Sequence, residues 1–212
     1  AIALKRNKKQ ILRVMKQYGI NPYRRRAKKP RKIGDEGKGV VKWKNEIIGM
    51  CPIRPRVVWA SDFTYIKFMG KFLYLATIID VYTRGIIGWN ISVRHDTDLV
   101  LGAVVHATER TGILPLYLHS DQGSEYDSNR YEEFVLEKGI IISMSAKSSP
   151  WENAFQESFY SQFKVDLGFV SRFETVEKLI EEIYKAIFYY NNQRIHTSLK
   201  MSPVQFTQKY EN

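Results

Sequence analysis

The segment VVWASDFTYIKFMGKFLYLATIIDV, residues 57–81, is the part of the sequence that decides the fold. Two runs rich in β-branched and aromatic residues, 57–68 and 72–81, flank the dipeptide Met69-Gly70, and this arrangement predicts two strands joined by a tight turn. Downstream patterns predict strands over 85–93, 114–120 and 140–144 and helices over 96–111 and 128–138. The order of these elements predicts an α/β fold with a mixed five-stranded sheet flanked by helices.

Two further helices are predicted near the end of the chain. The run Ser149-Pro150-Trp151-Glu152 places a Ser at the N-cap, Pro at the first helical position and Glu at the third, so a helix is expected to begin at about Pro150. Apolar residues at helical spacing predict another helix over 175–190. Thr97 is a candidate N-cap for the helix over 96–111, and residues 191–212 are predicted to form a polar tail.

The composition excludes several classes of protein. With 212 residues, of which 44% are hydrophobic, the chain is expected to form one sizeable folded domain and a smaller appendage. A single cysteine, Cys51, excludes an intrachain disulfide, and no Cys/His cluster has the spacing of zinc ligands. The longest apolar stretch, 72–79, is too short to span a membrane. A soluble protein of a reducing compartment is therefore expected.

The positive charge is concentrated at the start of the chain. Residues 1–34 contain 13 Lys or Arg and no acid, although the whole chain has a net charge of only +11. A basic helix is predicted over 7–18, followed by a linker, and such an arm favours a polyanion such as DNA, with a solvated charge run or a localisation tag as the alternatives. The candidate DNA-binding residues here are Lys5, Arg6, Lys8, Lys9, Arg13, Arg24, Arg25, Arg26, Lys28, Lys29, Arg31 and Lys32.

Three acids stand in places where a carboxylate is costly unless a cation neutralises it. Asp62 lies in the first predicted strand, Asp121 at the end of the fourth, and Glu157 on the helix predicted from Pro150. Mg²⁺ prefers oxygen ligands, and two ions about 4 Å apart can promote an in-line displacement at phosphorus. The three acids are therefore candidate ligands of two Mg²⁺ ions, for which Mn²⁺ is expected to substitute.

Each acid taken alone also has an ordinary structural interpretation. Asp62 could be a polar group at a strand entry, Asp121 a turn former before Gly123, and Glu157 a solvated helix residue. Glu125 and Asp127 compete with Asp121 as ligands, whereas Asp80 competes with Asp62 and His119 is either a packed histidine or a substrate contact.

Other polar residues are candidates for contacts with phosphate. On the helix that carries Glu157, the residues Asn153, Ser161 and Lys164 fall on the same stripe. Lys164 could hold a phosphate, and its alternative is an ordinary surface lysine. Arg194 and His196 follow the last predicted helix, where they could touch the DNA backbone or cap that helix.

Five segments together carry a family resemblance: WASDFTYI (59–66), IDVYTR (79–84), HSDQGSEY (119–126), ENAFQESF (152–159) and YNNQRIH (190–196). They resemble the integrase core of bacterial insertion-sequence transposases of the orfB type, within the DDE transposase and retroviral integrase superfamily. The resemblance covers residues 57–208, and the 35 residues between Asp121 and Glu157 are specific to it.

The resemblance implies a ribonuclease H-like fold, with Asp62, Asp121 and Glu157 as metal ligands and Lys164 as a catalytic basic residue. It implies that Asp80 is either a structural residue or one that supports the metal ligands from behind. Residues 1–34 then resemble the end of a helix-turn-helix region with its linker, whose earlier part is expected to be missing. Residues 35–56 form an irregular linker, 57–208 the catalytic core and 209–212 a tail.

The expected function is Mg²⁺-dependent DNA strand cleavage and strand transfer during transposition. Expected partners are the transposon ends, the target duplex and further copies of the chain, with no membrane and no organic cofactor. The expected location is the bacterial cytoplasm at the nucleoid. Two alternatives stay open: a DNA-binding or regulatory protein that no longer turns over, and a general nuclease of the same fold.

Overall fold

A computed structural model describes residues 7–19, 42–52, 54–146 and 153–211. The chain divides into two compact units, residues 1–37 and 38–212. In the smaller unit, helix α1 (Lys8–Gln17) confirms the predicted basic helix. Asn7 caps it by accepting a hydrogen bond from the Lys9 amide at 3.0 Å. Its apolar side chains remain about half exposed.

The larger unit is built on five strands: β1 (Val58–Phe68), β2 (Lys71–Asp80), β3 (Ile86–Ser92), β4 (Tyr117–Ser120) and β5 (Ile141–Met144). The sheet order is β3-β2-β1-β4-β5, in which β2 is antiparallel to both β1 and β3, and β4 is parallel to both β1 and β5. The predicted mixed five-stranded sheet is therefore confirmed. Met69 and Gly70 have φ values of 46° and 76°, as a two-residue hairpin turn requires.

Helices cover both faces of the sheet: α2 (Thr97–Thr111), α3 (Asn129–Glu137), α4 (Ala154–Leu167), α5 (Val176–Asn192) and α6 (Pro203–Glu211), with a short 3₁₀ helix (Val170–Arg172) between α4 and α5. The apolar side chains form two cores. One lies between the sheet, α4 and α5, and the other between the sheet, α2 and α3. Among the described residues, no helix is long and apolar enough to cross a membrane.

The start of α2 differs from the prediction. Asp96, not Thr97, is the N-cap, because its carboxylate accepts a hydrogen bond from the Leu99 amide at 3.1 Å. The Thr97 hydroxyl instead lies 2.9 Å from the Ser128 hydroxyl at the start of α3. The predicted helix start near Pro150 lies outside the described residues. Within them, α4 begins at Ala154 and carries Glu157 in its first turn.

Helix α6 lies where a polar tail was predicted, so that prediction was wrong. Ser202 and Gln205 form a reciprocal capping box: the Ser202 hydroxyl accepts from the Gln205 amide at 3.3 Å, and the Gln205 side chain accepts from the Ser202 amide at 3.2 Å. Pro203 stands at the first helical position. This Ser-Pro-x-Gln pattern is a helix start signal that the sequence already contains.

The described part of the predicted linker, residues 42–52, has no helix or strand, yet it contacts the core. The Met144 amide donates to the Lys44 carbonyl at 3.1 Å. The Glu46 amide donates to the Ser143 hydroxyl at 3.0 Å. These bonds cover the outer edge of β5, an edge that would otherwise leave backbone groups unpaired.

Candidate active site

The sheet register brings Asp62 and Asp121 together. Strands β1 and β4 run parallel and pair Trp59 with Leu118 and Ala60 with His119. Continuing this register by two residues places Asp62 opposite Asp121, the first residue after β4. Since neighbouring strands lie about 4.8 Å apart, acids 59 positions apart in the chain become neighbours in space.

Glu157 is positioned by a buried glutamine that precedes it. The Gln156 side chain is completely buried, and its amide nitrogen donates to the carbonyls of Ala60 at 2.6 Å and Thr77 at 3.0 Å. Its amide oxygen accepts from the Thr77 hydroxyl at 2.9 Å. One side chain thus ties α4, at the residue before Glu157, to both β1 and β2.

Tyr160, one helical turn further along, makes a second tie. Its hydroxyl donates to the Asp62 carbonyl at 2.6 Å, and it is nearly buried. Gln156 and Tyr160 therefore bind the backbone carbonyls of Ala60 and Asp62, the residues immediately before and after Ser61. The position of α4 relative to the Asp62 carboxylate is fixed by hydrogen bonds as well as by apolar packing.

The other three predicted catalytic residues, Asp121, Glu157 and Lys164, all change the pKa of Asp62 by their charge. Burial of this carboxyl, followed by the negative charge of Asp121, raises the pKa of Asp62 to about 7. The charge of Glu157 raises this pKa further, whereas Lys164 and a 2.8 Å hydrogen bond from the Phe63 amide lower it. Electrostatic effects of this kind act over short distances. The fold therefore brings the predicted acids and Lys164 into one place.

Asp121 has a related environment. Its side chain reaches solvent, but the surrounding protein removes enough water to raise its pKa, and the charge of Glu125 adds to the effect. The Gly123 amide opposes this shift by donating to the Asp121 carboxylate at 3.0 Å. A second acid therefore lies in a position where a cation would be favoured.

These residues fit a site for Mg²⁺ by their chemistry. The ligands that Asp62, Asp121 and Glu157 offer are carboxylate oxygens, which Mg²⁺ and Mn²⁺ prefer. Burial and the negative charge of Asp121 raise the pKa of Asp62, so a bound cation would favour its charged form. Among the described residues, however, no three His, Cys, Asp or Glu side chains lie close enough to hold a metal ion as they stand. The fit to Mg²⁺ therefore rests on the chemistry of these carboxylates.

The residues that were alternatives to the predicted ligands lie in other environments. Asp80 is buried and accepts hydrogen bonds from the amides of Tyr82 and Thr83 at 2.9 and 2.8 Å, which is a structural role at the end of β2. His119 is buried and lies 2.9 Å from the Ser143 hydroxyl, so it is a packed histidine. Asp127 is exposed.

The contacts of Glu125 with His95 and with the loop after Asp121 were not predicted from the sequence. It is buried, and one carboxylate oxygen lies 2.8 Å from Nδ1 of His95. A Cβ at Gly123 would lie 2.8 Å from the other Glu125 oxygen and 3.1 Å from an Asp121 oxygen. A larger residue at this position would therefore have to displace the Glu125 carboxylate, and the spacing Asp-x-Gly-x-Glu was the available signal.

The predicted DNA contacts fall in different environments. Lys164 is exposed, and its Nζ lies 5.2 Å from the centre of the Tyr65 ring. Asn153 is buried and donates to the Ser61 carbonyl at 3.4 Å, which disfavours the predicted DNA contact. Arg194 pairs with Asp166 at 3.1 Å.

The remaining candidates lie near the C-terminus and in the basic arm. His196 is partly buried, and burial together with the positive charges of Arg84 and Arg194 lowers its pKa. In α1, Lys9 and Arg13 are exposed. The Lys8 side chain lies outside the described part of the chain, as do Lys5, Arg6, Arg24, Arg25, Arg26, Lys28, Lys29, Arg31 and Lys32.

Asp62 is expected to make the stability of the metal-free protein depend on pH. Its pKa is about 7 in the folded chain against an ordinary 3.8, so folding favours the protonated form. This contribution to stability is fully present below pH 3.8 and is lost as the pH rises through 7. Asp62→Asn should therefore stabilise the protein at pH 8 in EDTA by on the order of 1–3 kcal/mol, and by less at pH 4.

The measurement is the difference in Tm between Asp62→Asn and the wild type at both pH values. The exposed Asp127, changed to Asn, is the matched control and should show no pH-dependent gain. An equal Tm difference for Asp62→Asn at pH 4 and pH 8 would contradict the prediction.

A mixed sheet with adjacent acids on β1 and after β4, and a third acid on a crossing helix, defines the class of integrase-type cores. The family models described as "Integrase core domain" match residues 52–150 and 138–203. Among curated relatives, the "Transposase for insertion sequence element IS904" of Lactococcus lactis is 39% identical over 74% of this chain and 63% of its own length. An "Uncharacterized transposase-like protein" of Haemophilus influenzae is 35% identical over 72% of this chain and 71% of its own length.

The chain belongs to the bacterial insertion-sequence transposases of the DDE superfamily. It spans about 63% of the length of the Lactococcus relative. The solved magnesium complex of the HTLV-2 integrase catalytic core domain, in its trimeric form, is 18% identical and has a TM-score of 0.62, covering 73% of this chain and 98% of that one. This likeness confirms the predicted ribonuclease H-like fold.

Proposed function

We propose that this chain is the catalytic core of a transposase that cuts DNA at the ends of its element and joins them to a target duplex. The observation that carries the proposal is the meeting of Asp62, Asp121, Glu157 and Lys164 at one edge of the sheet, where each of the other three charges changes the pKa of Asp62. The membership of the family and the magnesium in the related integrase structure support the same function.

In this proposal, Asp62, Asp121 and Glu157 would hold two Mg²⁺ or Mn²⁺ ions. Such ions, when bound, supply activation of the attacking oxygen and stabilisation of the leaving oxygen. Lys164 would bind a phosphate oxygen beside them, because its exposed ammonium lies close enough to influence Asp62. Gln156 and Tyr160 keep the helix and the strand in register while the substrate binds.

The reaction would proceed in two displacements at phosphorus. In the first, a water oxygen bonds to phosphorus at the element end, and the bond to the 3′ oxygen breaks and leaves a 3′-hydroxyl. In the second, that hydroxyl bonds to a target phosphorus and displaces a target 3′ oxygen. Each step forms one P–O bond and breaks another, so no further energy source is required.

Two features beyond the core belong to the same proposal. The basic residues of the arm would bind DNA phosphates, and the resulting affinity should fall as the salt concentration rises. We also propose that copies of the chain assemble on paired element ends, as the intasome named in a related solved structure suggests for that protein. The reaction would take place in the bacterial cytoplasm at the nucleoid.

A strand-transfer assay tests the function. Labelled DNA carrying the inverted repeats that flank the gene is incubated with the protein and a target plasmid, with Mg²⁺ or with EDTA. Joined products only with Mg²⁺ and only with the repeats are expected. Binding without nicking at every metal concentration would instead indicate an inactive DNA-binding protein. Cutting of unrelated duplexes without joining would indicate a general nuclease.

A further inference from the structure

A row of aromatic side chains crosses the β1–β2 hairpin beside the candidate active site. Residues directly opposite each other in the two strands share a face of the sheet, and Tyr65 pairs with Tyr74. Phe63 and Phe72 lie two residues from this pair on the same face, and His95 from the start of α2 joins them. We call these five residues the aromatic face.

The five rings form a continuous series of contacts. The Tyr65 and Phe72 ring centres are 5.5 Å apart, those of Phe72 and Tyr74 6.3 Å, and those of Tyr74 and His95 5.0 Å. His95 in turn stacks on Phe63 with an angle of only 6° between the rings and 6.2 Å between their centres. The rings hold one another in place, so little freedom would be lost when a ligand binds.

The aromatic face is open to solvent, although the residues nearer the start of β1 on the same face are buried. Trp59 and Ser61 are fully buried beneath α2 and α3. Beyond them, Tyr65 is 58% exposed, Phe72 is 45% exposed and the side chain of His95 is 54% exposed. The contacts of Tyr65 with Phe72 are edge-to-face, so a large part of both rings stays open to solvent in the described part of the chain.

Lysines surround this surface. Lys67 pairs with Phe72 across the hairpin and lies on the same face, whereas the exposed Lys71 is the neighbour of Phe72 on the opposite face. The Lys164 ammonium lies over the Tyr65 ring. Among the described residues, neither Lys67 nor Lys71 forms an ion pair. Rings interleaved with lysines suit a nucleic-acid strand, whereas an apolar protein surface would leave these charges buried without a counterion.

The aromatic face adjoins both ends of the acid cluster. His95 is hydrogen-bonded to Glu125, and the Glu125 and Asp121 carboxylates both border Gly123. At the other end, the Lys164 ammonium lies over the Tyr65 ring. We propose that the aromatic face stacks the unpaired bases of a DNA strand next to the phosphate at which the reaction occurs. Unpaired bases are required because only they can present a free flat surface to Tyr65 and Phe72. The proposal rests on the proposed function for the identity of the nucleic acid as DNA.

The test measures the affinity of the protein for two fluorescent probes in EDTA, so that no cleavage takes place. One probe is a blunt duplex of the element end, and the other carries a short single-stranded extension. The variants Tyr65→Thr and Phe72→Thr, combined, remove the rings but retain β-branched residues that favour a strand. They should weaken binding of the extended probe by about tenfold and leave binding of the blunt duplex within about twofold.

Two further variants serve as controls for the double variant. Tyr65→Phe retains a ring and should bind the extended probe as the wild type does. Phe188→Ala removes an equally exposed ring, also 58% exposed, from α5, and should have no effect. Equal affinity of the double variant and the wild type for the extended probe would overturn the proposal. Equal losses for both probes, or a change in oligomeric state, would also overturn it, since the surface would then bind duplex or a second copy.

The outcome is separable from that of the strand-transfer assay. Selective loss of extended-probe binding would support the aromatic face even if the chain joined no DNA ends. Normal strand transfer together with unchanged binding in the double variant would reject the aromatic face alone.

Discussion

Asp62→Asn is expected to reduce Mg²⁺-dependent strand transfer by on the order of 10³-fold or more, and Asp121→Asn and Glu157→Gln should do the same. Each substitution retains the size of the side chain but removes the negative charge that would hold a divalent ion. Bound ions contribute several kcal/mol to such displacements, and each 1.4 kcal/mol corresponds to about tenfold in rate. The measurement is the rate of joined product in single-turnover assays.

The same variants should bind element-end DNA in EDTA as tightly as the wild type, because DNA affinity depends mainly on contacts between basic residues and phosphates. Asp127→Asn is the matched control. Asp127 is exposed and lies only six residues after Asp121, but it is not one of the acids whose charge raises the pKa of Asp62. Full activity in any one of the three acid variants would remove that residue from the site.

Gln156→Leu is expected to have the second largest effect. Leucine has a similar volume, but it removes the partner of the Ala60 and Thr77 carbonyls in a fully buried place, whereas the Thr77 hydroxyl keeps its contact with the Tyr160 hydroxyl at 2.8 Å. Since each unsatisfied buried group costs about 1–3 kcal/mol, and the two carbonyls retain other possible partners in the sheet, a total loss of about 2–4 kcal/mol in the free energy of unfolding is expected. Urea unfolding measures it.

The same change should affect catalysis in the fraction that remains folded. Glu157 follows Gln156, so release of the helix from β1 would move its carboxylate away from Asp62. The Mg²⁺ concentration for half-maximal strand transfer should therefore rise, which a loss of stability alone would not cause.

Gln162→Leu on the same helix is the control for Gln156→Leu. Gln162 is only partly buried and its amide donates to Asp166 at 2.9 Å, so its loss should change stability by less than about 0.5 kcal/mol. If Gln156→Leu proved as stable and as active as Gln162→Leu, the buried hydrogen bonds of Gln156 would have no role in positioning Glu157.

Most of the fold could be predicted because its signals are local. The hairpin over 57–81 appears in the structure as Val58–Phe68 and Lys71–Asp80, since runs of β-branched and aromatic residues and a Met-Gly turn depend on adjacent residues. Helix α6 was missed although its capping box is present. Its apolar residues Phe206 and Tyr210 are few, and they pack on Tyr82 at ring distances of 5.4 and 5.7 Å, a contact that no local pattern contains.

The candidate site was predictable to a different degree. Asp62, Asp121, Glu157 and Lys164 could be selected from their places in strands and helices and from the family resemblance. Asn153 was placed on the stripe of Glu157 by the helical period, but the structure buries it against Ser61, because the period does not show where the sheet lies. Gln156 carried no signal at all, since a glutamine on a helix is usually exposed.

By itself, the sequence determined the order of the strands and of the helices other than α6, the concentration of positive charge in residues 1–34 and the choice of the three candidate acids. These features follow from residue types and short-range spacing. Only the tertiary structure decided that Asp62 has a pKa of about 7, that Gln156 ties α4 to the sheet and that the aromatic face lies beside the acids. Burial and interactions through space depend on atoms from β1, β4 and α4, which the chain separates by tens of residues.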